Sequence, residues 1–348
     1  GRFQKIADNG GIHSLKDQVG DYNILYQTIV AIFTYIGDKS IYYYKILSIF
    51  FDFCMAISAA IFACELSKKE KNDKVFFVTF AAVIMLPTVI LNSAYWGQCD
   101  SIYTTFIILT LLYLYREKYH RAFMFLGIAF AFKMQTIFIF PFIICFYIYK
   151  KQFSIFELLI TVFTFWISGI GAFVQGRSLL DPFRIYANQT GTYQYMHVNF
   201  PSFWMFVGND YEWLKTAAIV MAAGICGMGL YIIMKRKLDC SRPENFVSIA
   251  SWFIWTCVLF LPAMHERYAY PLEILLVILT CINKDYLKYS SVAILFSLFT
   301  YGNYLFSNGG LDKYIVIIYA GCYLHFTYTI LKKNSKAATV TDKEMQNE

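Results

Sequence analysis

Long apolar runs broken by short polar patches set the pattern of this chain. A membrane-crossing helix needs about 20 apolar residues, with roughly 17 to 25 tolerated. Runs of that order lie at Ile41–Cys64, Val75–Leu91, Phe153–Val174, Leu214–Met234, Phe246–Ala263, Lys288–Phe306 and Tyr314–Leu331. Shorter ones lie at Ile102–Tyr115, Ala122–Phe132, Thr136–Tyr149 and Tyr268–Ile282, and these span only if tilted, flanked by aromatics or set beside a water-filled cavity. The runs are continuous rather than alternating, which excludes a transmembrane barrel. The pattern predicts an all-α, polytopic transmembrane helical bundle of about eleven spans.

Composition agrees. Of 348 residues, 58% are hydrophobic, 20% aromatic and 15% charged, against roughly 25% charged in an ordinary soluble chain. Mean hydropathy is +0.48. These values exclude a disordered chain and an ordinary cytosolic one. Most of the nine cysteines sit inside apolar runs and none forms a C-x-x-C pair, so neither a disulfide framework nor a thiolate metal site is indicated.

The net charge of +7 is informative through its placement. Basic residues gather in alternate loops: Lys68, Lys69, Lys71 and Lys74; Arg116, Lys118 and Arg121; Lys150 and Lys151; Lys235, Arg236, Lys237 and Arg242; Lys284 and Lys288; then Lys332, Lys333, Lys336 and Lys343. The positive-inside rule makes that side cytoplasmic and the C-terminus internal. The other face receives Asn92–Ser101, Lys133–Gln135, Gln175–Trp213, His265–Arg267 and Ser307–Lys313. Residues 1–40 read as an external loop segment, 41–331 as the multispan domain and 332–348 as a cytoplasmic tail. Ile24–Ile36 is apolar but short, rising about 20 Å as a helix. It either crosses, or lies along the interface or re-enters the bilayer, and its length favours the second reading.

Ionisable groups at span ends are costly and mark candidate sites. Asp21, Asp100, Lys133, His265, Glu266 and Arg267 come from separate stretches and all fall on the outer face. Asp100 reads either as a helix cap or as a carboxylate facing a polar cavity. Lys133 reads as a snorkelling span end or as a cation for a phosphate. In Met264–Tyr268, Glu266 can pair with Arg267 or Lys133, leaving His265 to donate to a phosphate oxygen. The long outer loop holds Arg177, Arg184, His197 and Trp204 among aromatics and amides, suiting either a carbohydrate surface or an interfacial helix.

W-G-Q-x-D at Trp96–Asp100, F-K-x-Q at Phe132–Gln135 and H-E-R-Y at His265–Tyr268 resemble motifs of the GT-C glycosyltransferases. The chain is similar to bacterial relatives of the GPI-anchor second mannosyltransferase. More distantly it is similar to the dolichyl-phosphate-glucose glucosyltransferases of the ER, whose D-Y-P-P segment Gly20–Asn23 resembles without its prolines. The resemblance implies a GT-C-like fold in the cell membrane and transfer of a hexose, such as mannose, from a polyprenyl-phosphate carrier to an acceptor hydroxyl outside. It implies phosphate binding by Lys133, His265, Arg267 and Arg184. It implies sugar or acceptor binding by Asp100, Gln98, Gln135, Trp96, Glu266 and Tyr268.

The family's base is an acid just after a first transmembrane helix. Residue 1 falls within the loop that follows that helix, so the expected base lies before it, with Asp21 the nearest substitute. Some members hold a divalent cation, but no acidic pair here demands one. The partners implied are a polyprenyl-phosphate-linked sugar, a lipid-linked or glycan acceptor and membrane lipids, with no nucleic acid. A transporter or flippase of lipid-linked sugars, or a non-catalytic membrane subunit of the same fold, stand as alternatives.

Overall fold

A computed structural model describes residues 1–67, 73–307 and 313–345, with side chains at all of these except 73 and 334–345. The basic residues Lys68, Lys69 and Lys71, most of the predicted outer turn Ser307–Lys313, and the side chains of Lys336 and Lys343 lie outside that description.

The regular elements of the described chain are helical apart from two strands of two residues each. Helices α1 (Arg2–Asp8), α2 (Ile24–Phe33), α3 (Ser40–Leu66), α4 (Asp73–Ile84) and α5 (Pro87–Ile90) lead to α6 (Asp100–Tyr115), α7 (Tyr119–Phe132) and α8 (Phe140–Lys150). There follow α9 (Glu157–Ile167), α10 (Ile170–Phe173), α11 (Asp181–Gln189) and strand β1 (His197–Val198). Then come α12 (Tyr211–Lys235), α13 (Pro243–Phe260), β2 (Met264–His265), α14 (Tyr270–Ile282), α15 (Leu287–Gly302) and α16 (Tyr314–Met345). The all-α expectation holds.

Among the described residues, three helices are long and apolar enough to cross a membrane: Ser40–Leu66, Tyr211–Lys235 and Tyr314–Lys333. Lys74–Ile84 and Pro87–Trp96 together make a fourth, bent by 49°. The bend has a cause. Pro87 opens the second piece, lacks the N–H that would continue the first, and biases Leu86 toward extended backbone. Predicted run Phe153–Val174 is likewise divided, into α9 and α10, at Ser168–Gly169. Phe246–Ala263 becomes α13, ending at Leu261-Pro262. Ile24–Ile36 yields only the ten residues of α2, and α16 runs on into the predicted tail.

Two compact units interleave along the chain. Unit 1 comprises Gly1–Phe62, Phe80–Ile137 and Gln152–Tyr193. Its centre is α6 packed on α7, and α7 on α9. Gly127 matters there, because a Cβ would lie 2.6 Å from the Thr161 carbonyl oxygen. Unit 2 comprises Ala63–Thr79, Phe138–Lys151 and Gln194–Glu348. Helix α13 is its core, buried continuously from Asn245 to Leu259 and packed against α12, α14 and α16.

Candidate functional site

In unit 1 the predicted residues Asp100 and Lys133 meet. Chain Leu91–Trp96 winds as a π-helix and stops at Gly97, whose φ of +75° is the left-handed conformation glycine adopts freely. The Gln98 N–H closes the turn on the Asn92 carbonyl at 2.8 Å. Asp100 then opens α6 as its first residue, with Cys99 rather than Asp100 in the capping position. Lys133 closes α7 in extended backbone. Asp100 is completely buried and Lys133 nearly so. The Lys133 ammonium donates directly to Asp100 Oδ1, while Asn92 Nδ2 donates to Asp100 Oδ2 at 2.8 Å. Lys133 also stands 5.3 Å from the centre of the Tyr103 ring.

A carboxylate absent from the sequence expectations joins this cluster. Asp52, buried midway along apolar α3, accepts a hydrogen bond from Ser93 Oγ at 2.7 Å. Ser93 adjoins Asn92, so the π-turn links two buried acids. Flanking residues leave polar atoms unsatisfied among the described residues: Gln98 Oε1, Gln135 Oε1, Thr104 Oγ1 and Thr136 Oγ1 are buried without a hydrogen bond. Such atoms cost about 1–3 kcal/mol each unless a ligand or water completes them. Trp96 ends the π-turn half-buried.

Asp21 and Arg184 share another cavity of unit 1, about 290 Å³, with Gln18, Arg177, Asp181 and Gln189. Asp21 is ion-paired with Arg2. Arg177 is a strut rather than an open cation: its Nε meets Asp181 Oδ2 at 3.0 Å, and its remaining nitrogens meet Gln18 and the carbonyls of Leu15 and Asp17. Arg184 is exposed and reaches Asp181 Oδ1 at 3.3 Å.

The H-E-R-Y segment belongs to unit 2. Strand β2 pairs in parallel with β1, setting His197 opposite Met264 and Val198 opposite His265. Ala263, just before it, is held at φ +58°, a costly conformation for a residue with a Cβ. Glu266 is completely buried. Arg267 Nη1 donates to Glu266 Oε1 at 2.7 Å, and His265 Nδ1 lies 3.8 Å from Oε2. Burial would raise the Glu266 carboxyl, but the neighbouring His265 imidazole and the Arg267 charge outweigh it and hold the group below the usual carboxylate range. The Tyr268 ring centre lies 5.0 Å from that of His265, and Thr300 Oγ1 donates to the Glu266 carbonyl at 3.2 Å. One helical face on, α14 buries a second acid, Glu273. Asp52 and Glu273 had one legible signal, an acid inside an apolar run.

No three His, Cys, Asp or Glu among the described residues converge as metal ligands. The donor set near Asp100 does not suit a divalent cation, because both carboxylate oxygens already accept from Lys133 and Asn92. No known protein-family model matches the chain, and no curated protein sequence matches it.

Proposed function

We propose that the chain is a membrane glycosyltransferase that moves a hexose from a polyprenyl-phosphate carrier to an acceptor hydroxyl on the extracytoplasmic face. One observation carries the reading. Beside the Asp100–Lys133–Asn92 network, the amide oxygens of Gln98 and Gln135 are buried without donors. Carbonyl oxygens accept hydrogen bonds, and the hydroxyls of a sugar would supply the missing donors. Lys133 spends its charge on Asp100, so its role shifts from holding phosphate toward orienting hydroxyls. Within unit 2, taken by itself, His265 and Arg267 keep the assignment to phosphate oxygens that the resemblance implies, and Glu266 holds Arg267 in place.

Chemically, the acceptor oxygen bonds to the anomeric carbon as the bond from that carbon to phosphate breaks. The hydroxyl proton passes to a carboxylate, and polyprenyl phosphate leaves with the electron pair. Asp21 is the acid assigned to take the proton. Its pairing with Arg2 opposes that role, which makes Asp21→Asn the discriminating variant.

Labelled polyprenyl-phosphate hexoses, supplied with a membrane extract as acceptor, test the proposal. Transfer that falls at least tenfold in Gln135→Met supports it. Absence of transfer from every donor, with donor binding retained, sinks it. The bent pair Lys74–Ile84 and Pro87–Trp96 favours one rival, a transporter of lipid-linked sugars, since transporters build substrate sites on broken helices. Movement of donor across a sealed vesicle without sugar transfer would select that rival.

A further inference from the structure

Unit 2 carries a groove unrelated to the polar clusters. It has a volume of about 330 Å³ and is walled by α12 and α16 over a floor from α13. Ile225 and Ile232 come from α12, Leu324 and Leu331 from α16, and Trp252 and Tyr323 close the base. Gly229 shapes it, since a Cβ there would lie 2.3 Å from the Trp252 ring. That ring stacks on Tyr323 at 5.9 Å.

The polar atoms of these walls are spent internally. Trp252 Nε1 donates to Thr327 Oγ1 at 2.8 Å, Thr327 donates to the Tyr323 carbonyl at 2.9 Å, and Tyr323 Oη bonds Thr256 at 2.8 Å. The groove therefore offers hydrocarbon alone. It belongs to two of the helices apolar enough to cross a membrane, and these are the ones least covered by protein, 22% and 28% buried. From Ile225 to Ile233 it extends about 12 Å along α12, the reach of a lipid tail segment.

Charge marks one end only. Lys235 ends α12 with Arg236 and Lys237 directly after it, and Lys332 follows Leu331 on α16. Arg236 lies four residues beyond Ile232 and so continues the groove face. Lys235 and Lys332 each stand 5.5 Å over a tyrosine one turn back, Tyr231 and Tyr328, in matched interfacial pairs. Acids at this end face other cations: Asp239 meets Arg242, while Glu244 and Asp285 meet Lys333.

We propose that this groove holds a hydrocarbon tail of an anionic phospholipid whose headgroup meets Arg236 and Lys237. The inference rests on α12 and α16 crossing the membrane and is independent of sugar transfer.

The test uses the full chain in vesicles carrying brominated acyl chains, on either phosphatidylglycerol or phosphatidylcholine. Bromine quenches a neighbouring indole, and the difference from Trp252→Phe isolates the floor residue. Quenching of Trp252 should favour phosphatidylglycerol. Each basic residue near a membrane surface is worth roughly fivefold in affinity, so Arg236→Gln with Lys237→Gln should reduce the preference about 25-fold. Ile232→Phe, which fills the groove without adding an indole, should reduce quenching of Trp252 by both lipids. Equal quenching by both lipids in the wild type overturns the proposal. So does a preference unchanged in the charge variant, whose two sites are exposed and leave the packing intact.

Discussion

Ser93 Oγ lies 2.7 Å from Asp52 Oδ1, tying an acid in the middle of an apolar helix to the turn that carries Asn92. Removing the acid strands the serine and loosens that turn. Asp52→Ala is expected to cost about 1–3 kcal/mol, read as a lowered melting temperature, whereas Asp52→Asn, which still accepts from Ser93, should retain most of the stability. Equal losses in both variants would mean that the charge, not the hydrogen bond, holds the turn.

Asp100 is completely and Lys133 nearly buried, so removing one charge leaves the other buried without its ionic partner. Lys133→Met alone should destabilise the protein by about 3–5 kcal/mol. Lys133→Met combined with Asp100→Asn should recover much of that loss, because no charge is then left buried. Sugar transfer, by contrast, should stay lost in the double variant. Recovery of transfer along with stability would demote the pair to a structural part.

Glu266 supplies a pH dependence with a definite sign. Its folded-state value is depressed by His265 and Arg267 despite burial. Its stabilising contribution is therefore complete above the ordinary glutamate value and fades as pH falls from there through the lower folded value. Glu266→Gln should be less stable than the wild type at neutral pH and should converge with it in acid. A difference that stays constant down to acid unfolding would remove the ionised carboxylate from the account.

Position Gly37 distinguishes the two readings of the short apolar segment before it. Helix α2 has ten residues, rising about 15 Å, half of a hydrocarbon core. A cysteine at Gly37 and another at Gly10 should then react with an impermeant thiol reagent from the same side. Reaction from opposite sides would make Ile24–Ile36 a crossing.

Much of the helical layout was legible because apolar run length is a direct physical requirement. Ile41–Cys64 and Leu214–Met234 became single long helices with little change in their bounds. Breaks inside runs were harder. Pro87 lies within an otherwise continuous apolar stretch, and run length alone does not register the N–H it removes. Around the candidate site, Asp100 and Lys133 stood out as charges at span ends, and their mutual pairing required the positions of α6 and α7, 33 residues apart in sequence. Asp52 escaped notice because a single acid leaves the mean hydropathy of a 27-residue helix high. Only the position of Ser93 across from it reveals its use.

The interleaving of the two units has a consequence for biosynthesis. Every segment of unit 1 has been made once Tyr193 emerges. Unit 2 instead includes Ala63–Thr79 and Phe138–Lys151, whose partners begin only at Gln194. During translation those two early segments must wait for the rest of their unit, which is made last. The nascent chain thus has a built-in order of assembly, and the waiting segments are where an insertion chaperone has the most to hold.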